Sequence, residues 1–150
     1  MGGVEVHGWS KAAPLFFAIL PPNGNVYEMK ARKKVLICED NPVERKVIQM
    51  AVEGEGVETF IASDGRKALD LLEQHSDFDL VITDIHMPYN NGEDILERIR
   101  SHQRKDTPIV MISSDREEEV IQAALKLGVN VFIKKPIDPE SVRRKVAAFL

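Results

Sequence analysis

Four short stretches of the chain hold side chains that could do chemistry together: Glu39 with Asp40, Asp84, Ser113 with Ser114, and Lys135 behind Lys134. Carboxylates brought into one corner repel each other unless a cation sits among them. Mg²⁺ suits such a corner, because it takes hard oxygen ligands and keeps several of its waters. Glu39, Asp40 and Asp84 are the expected ligands. An ammonium in the same place can pair with a carboxylate at rest and with a phosphoryl oxygen afterwards, which supplies the positive charge that phosphoryl transfer requires. Lys135 is the candidate for it, and the Ser113 hydroxyl can donate to a phosphoryl oxygen and so register the group's presence.

The elements that must gather these residues can be read from Lys34 onward, where short apolar runs alternate with helical patterns. Such alternation predicts βα units around a parallel sheet. The strand candidates are Val35 to Cys38, Glu58 to Ile61, Leu80 to Thr83, Ile109 to Ser113 and Val131 to Lys134. The helix candidates cover about Pro42 to Glu53, Gly65 to His75, Gly92 to Gln103, Arg116 to Leu127 and Pro139 to Leu150, with apolar residues at three and four spacing as in Ile95, Leu96 and Ile99. Pro42 and Pro139 fit first-turn positions and Gly128 fits a helix C-cap. In an open parallel sheet, reactive groups gather beyond the carboxyl ends of the strands. Each of the four stretches stands at such an end.

Composition narrows the classes of function. With 150 residues, 43% of them apolar and 29% charged, the chain has the balance of a globular protein with one substantial core. A formal net charge of −4 argues against nucleic acid as a direct partner. One cysteine, Cys38, cannot close an internal disulfide, and a reducing, cytoplasmic setting is expected. Residues 1–32 are broken by Pro14, Pro21, Pro22 and several glycines and are expected to form a poorly ordered extension, leaving 33–150 as the domain. The apolar run from Leu15 to Leu20 is too short for a membrane span and lacks the small-residue cleavage site of a secretory leader.

Taken together the motifs resemble the receiver domain of response regulators. Val35-Leu-Ile-Cys-Glu-Asp-Asn41 resembles the family's acidic first-strand signature, and Asp84-Ile-His-Met-Pro88 followed by Asn91-Gly92 resembles its phosphoacceptor loop. Pro108-Ile-Val-Met-Ile-Ser-Ser114 and Lys135-Pro136 complete the set, so the resemblance spans about residues 33 to 150. It implies a flavodoxin-like doubly wound sheet of five parallel strands in the order 2-1-3-4-5, with five helices. It implies a switch in which Asp84 takes a phosphoryl group, with Mg²⁺ bound, from a histidine kinase or histidine phosphotransfer protein. It further implies metal ligation by the backbone carbonyl of His86, a cis Lys135–Pro136 bond, a switch pair in Ser113 and Phe132, and tuning of dephosphorylation by His86 and Asp115. The output would be a protein partner meeting the face made by helix four, strand five and helix five. The chain departs from the family's commoner residues in carrying Glu39 for aspartate, Ser113 for threonine and Phe132 for tyrosine, and each replacement keeps the group the role needs.

Blander readings stand beside these. Asp84 by itself would be a helix cap or loop residue, Ser113 and Ser114 the polar end of a strand, and His86 an exposed neighbour of the site. Lys134 reads as a solvated neighbour of Lys135. Because the fifth helix is expected to close at Leu150, output is expected to pass through a partner, from a monomer or from a dimer formed on phosphorylation. A phosphorelay intermediate, or a receiver module of a larger hybrid kinase system, is the nearest alternative. A haloacid-dehalogenase-type phosphatase would need a second Asp where His86 stands, so an enzyme acting on external substrates is not expected.

Overall fold

The structure is a computed structural model that describes residues 32–54, 56–89, 92–102, 106–114 and 118–150. The expected extension over 1–32 lies, apart from Arg32, outside the described residues, and so do Asn91 and Asp115. In chain order the elements are β1 (Lys33–Cys38), α1 (Pro42–Val52), β2 (Val57–Ala62), α2 (Gly65–Gln74), β3 (Leu80–Asp84), α3 (Gly92–His102), β4 (Ile109–Ser113), α4 (Glu118–Lys126), β5 (Val131–Lys134) and α5 (Pro139–Val146). The strands form one parallel sheet in the order β2-β1-β3-β4-β5, as expected.

β3 and β4 are buried along their whole length, which is why their sequences are apolar without alternation. The two-residue period of the strands sorts their side chains onto two faces. On one face Val35, Ile37, Leu80, Ile82, Val110, Ile112 and Ile133 pack against Ile48, Ala51 and Val52 of α1 and Val142 and Val146 of α5. On the other, Leu36, Val81, Ile109 and Met111 meet Ala68 and Leu72 of α2, Ile95, Leu96 and Ile99 of α3, and Ala124 of α4. Two cores therefore hold the sheet from both sides.

Local signals set where the helices start. The Asn41 side chain accepts from the N–H groups of Val43 and Glu44, Asp64 accepts from Lys67, and Asp138 accepts from Ser141. Pro42 and Pro139 occupy the first turns of α1 and α5, where a missing N–H costs nothing. Gly128, just past α4, has φ +89°, a left-handed conformation that side chains rarely adopt. Among the described residues, two boundaries differ from the sequence reading by more than one residue. β1 begins two residues before Val35, because Lys33 and Lys34 pair in register with Val57 and Glu58 through backbone groups that hydropathy does not see. α5 stops at Val146 and tightens into a 3-10 turn over Ala147–Phe149, a common way for a last helical turn to end.

Candidate functional site at the carboxyl edge of the sheet

The period-two phase that puts Ile37, Ile82 and Ile133 on the α1/α5 face carries two residues further along each chain segment, to Glu39, Asp84 and Lys135. These three emerge on one face at one edge of the sheet. β1 and β3 are neighbours there although β2 lies between them in sequence, so the edge is the point where strand order reverses. Lys135 follows β5 and comes back over β4 to reach Asp84, a span its long flexible stem allows. Its Nζ donates to Asp84 Oδ2 at 2.6 Å and stands 3.6 Å from Glu39 Oε2. The Lys135–Pro136 peptide bond is cis.

A carboxylate absent from the sequence reading completes the corner. Lys135 Nζ also donates to Glu44 Oε2, and oxygens of Glu39, Glu44 and Asp84 all lie within 4.8 Å of one another. Glu44 is in the first turn of α1, one helical turn before Ile48, so it belongs to the stripe that otherwise buries Ile48, Ala51 and Val52. A charged residue at a core-stripe position was the available signal. Asp40 is exposed and stands outside that group of three.

Burial sets the electrostatics. Glu39 is fully buried, and its Oε2 has no hydrogen-bond partner among the described residues, while the other oxygen accepts from the Asn41 N–H at 3.1 Å. Desolvation first, and then the neighbouring Asp84, push the Glu39 carboxyl well above the usual carboxylate range. For Lys135, burial alone would lower the pKa, but hydrogen bonds to Asp84 and Glu44 outweigh it and hold the ammonium charged. A buried carboxylate oxygen with no hydrogen bond among the described residues, beside two more carboxylates, is a donor set that fits a hard divalent cation.

The remaining candidates lie around this corner. The His86 N–H donates to Asp84 Oδ1 at 3.0 Å, and its side chain is exposed. Ser113, fully buried, ends β4 one residue beyond Ile112, the register partner of Asp84. Its carbonyl accepts from the Lys135 N–H at 2.9 Å, tying β4 to the loop that carries the lysine. Phe132 pairs with Met111 across β4 and β5 and is half-buried against the α2/α3/α4 core, on the opposite face from Asp84. The corner can thus hold a cation and oppose a lysine to an acceptor carboxylate, with a hydroxyl-bearing strand end next to it.

The model of the response regulator receiver domain matches residues 35–147. The chain belongs to that family. Receiver domains serve two-component systems as signalling switches. Among relatives, chemotaxis protein CheY1 of Helicobacter pylori is 34% identical over 119 residues, covering 78% of this chain and 96% of that protein. A sensory/regulatory protein of Xanthomonas campestris, RpfC, is 33% identical over 107 residues, 69% of this chain but 15% of its own length. The structure of the chemotaxis response regulator CheY4 of Vibrio cholerae superposes with a TM-score of 0.72 at 29% identity, over 80% of this chain and all of that one. The acidic corner described above lies within the matched receiver segment. No helix among the described residues of this receiver is long and apolar enough to cross a membrane.

Proposed function

We propose that residues 33–150 are a phosphorylation-dependent switch of a two-component pathway, in which Asp84 accepts a phosphoryl group from a phosphohistidine on a kinase or phosphotransfer protein. The observation that carries this reading is the 2.6 Å contact between Lys135 Nζ and Asp84 Oδ2 in a carboxylate-lined corner at the reversal point of the sheet. In the reaction an Asp84 carboxylate oxygen attacks phosphorus, the new O–P bond forms, and the P–N bond breaks with its electron pair returning to the imidazole nitrogen. The product is an acyl phosphate. Lys135 exchanges its contact with Asp84 Oδ2 for one with a phosphoryl oxygen, and the Ser113 hydroxyl donates to another.

Glu39, Asp40, Asp84 and the His86 backbone carbonyl would hold Mg²⁺, whose chemistry here is to neutralise charge that builds on the phosphoryl oxygens. The change at Ser113 would reach Phe132 through the β4–β5 pairing and alter the surface of α4, β5 and α5, where an output protein docks. His86 and Asp115, flanking the site, would set the lifetime of the acyl phosphate. The domain works as a switch in the cytoplasm rather than as an enzyme on external substrates. The match to a short part of a much longer sensory/regulatory protein supports a second reading, a receiver that passes its phosphoryl group onward to a histidine.

Intact mass after incubation with Mg²⁺ and acetyl phosphate tests the first reading. The wild type should gain about 80 Da, one phosphoryl group on a carboxylate, and Asp84→Asn should gain nothing. An adduct on the variant, or none on the wild type with or without Mg²⁺, would remove Asp84 as acceptor. Incubation of the labelled protein with a histidine phosphotransfer domain tests the second, through the appearance of the label on histidine.

A further inference from the structure

The function proposed above requires Lys135 to be available to a phosphoryl group, yet at rest its ammonium is shared. Nζ donates to Asp84 and, from the other side, to Glu44, a residue of α1 rather than of a strand end. Glu44 is held in place from its own side: Asn41 caps the helix by accepting from the Glu44 N–H at 3.1 Å, and Ile48 anchors the same helical stripe in the core. Its side chain keeps 29% exposure, against 0% for Glu39 and 6% for Asp84, so it is the member of the trio with room to leave. A second observation points to a cation in the same place, the buried Glu39 Oε2 that has no hydrogen-bond partner among the described residues and faces Lys135 at 3.6 Å.

Charge determines what a third carboxylate does here. Asp84 and Glu44 against one ammonium leave the corner net negative even with the buried Glu39 carboxyl neutral, which favours a divalent cation. A phosphoryl group adds further negative charge and seeks the same ammonium. Glu44 therefore attracts the cation and opposes the phosphoryl group, acting on the latter both through its field and by occupying Lys135.

We propose that Glu44 is a positioning residue that competes with the phosphoryl group for Lys135, biasing the site toward the metal-loaded, unphosphorylated state. The proposal rests on the switch reading and makes it quantitative. Phosphorylation must displace Glu44, and the displaced side chain has solvent to enter.

The test compares the wild type, Glu44→Gln and Glu44→Ala by calorimetric titration, with Mg²⁺ alone and then with beryllofluoride at saturating Mg²⁺. Beryllofluoride mimics the phosphoryl group without hydrolysing, so a change cannot come from Glu44 acting as a base toward water. The expected result has opposite signs: removing one nearby, partly screened charge weakens Mg²⁺ binding and tightens beryllofluoride binding, each by about three- to tenfold. A purely structural role would weaken both together. Equal or weaker beryllofluoride binding in both variants, with thermal melts showing that they fold, overturns the proposal for Glu44. Failure of the wild type to bind beryllofluoride through Asp84 would instead overturn the switch reading.

Discussion

At the scale of single residues, Lys135 is the cation that touches both Asp84 and Glu44 and faces the buried Glu39. Replacing it with methionine keeps the stem and removes the charge, leaving buried carboxylates uncompensated. Part exposure of the pair moderates the cost, and Lys135→Met should lose about 1–3 kcal/mol in urea unfolding without metal. Mg²⁺ should return part of that loss by supplying a cation to the folded state alone. Equal loss with and without Mg²⁺ would show that the cation does not take over the role of the ammonium among these carboxylates. Cys38 presents the contrary case of a group kept from reacting. Burial pushes its thiol up to about 12, only partly countered by a hydrogen bond with Thr83. The native protein should resist a disulfide reagent at pH 8, and the urea-unfolded chain should react within the mixing time. Rapid stoichiometric labelling of the native form would contradict the burial.

At the scale of elements, the turns between strands and helices carry measurable stability. Gly128 holds φ +89° with the Arg100 guanidinium 3.1 Å from where a Cβ would stand, and Arg100 in turn donates to the carbonyls of Thr107 and Gly128. Gly128→Ala should cost about 1–2 kcal/mol from the left-handed backbone alone, read as a lowered urea midpoint at unchanged m-value. The start of β1 offers a pH handle. A hydrogen bond from Lys34 Nζ, 2.9 Å from Asp77 Oδ2, holds the Asp77 carboxyl below its usual range. A depressed folded pKa means stability that is present above the unfolded carboxylate value and lost as pH falls through the folded one. The carboxylate is 59% exposed, so solvent screening limits the pair to less than about 1 kcal/mol. Asp77→Asn should therefore lower stability slightly at neutral pH and converge with the wild type in acid. A gap that persists in acid would trace instead to lost packing.

At the scale of the whole molecule, the two cores cover opposite faces of the sheet, and Ile82 of β3 is fully buried two residues before the acceptor position. Ile82→Ala should cost about 2–5 kcal/mol, the usual price of an aliphatic cavity in a packed core, measured by equilibrium unfolding. The set of elements was legible in the sequence alone. Apolar runs too short for helices, Pro42 and Pro139 ahead of helical periods, and the strand-end positions of Glu39, Asp84, Ser113 and Lys135 were all local signals. Their motifs in order were enough to indicate the family and its strand order. Less was legible where backbone pairing or a distant neighbour decides. The extra residues of β1 depend on the β2 ladder, and the end of α5 depends on its last turn. Glu44 did not stand out in the sequence, because helix periodicity shows which stripe a residue joins and not what stands opposite it. Only the tertiary structure brought α1 against the edge where β5 returns its lysine, 91 residues away in the chain. The physical reason is that charge acts through space. A carboxylate's partner is whichever ammonium the fold delivers, and that delivery is made by packing between elements that no local pattern relates.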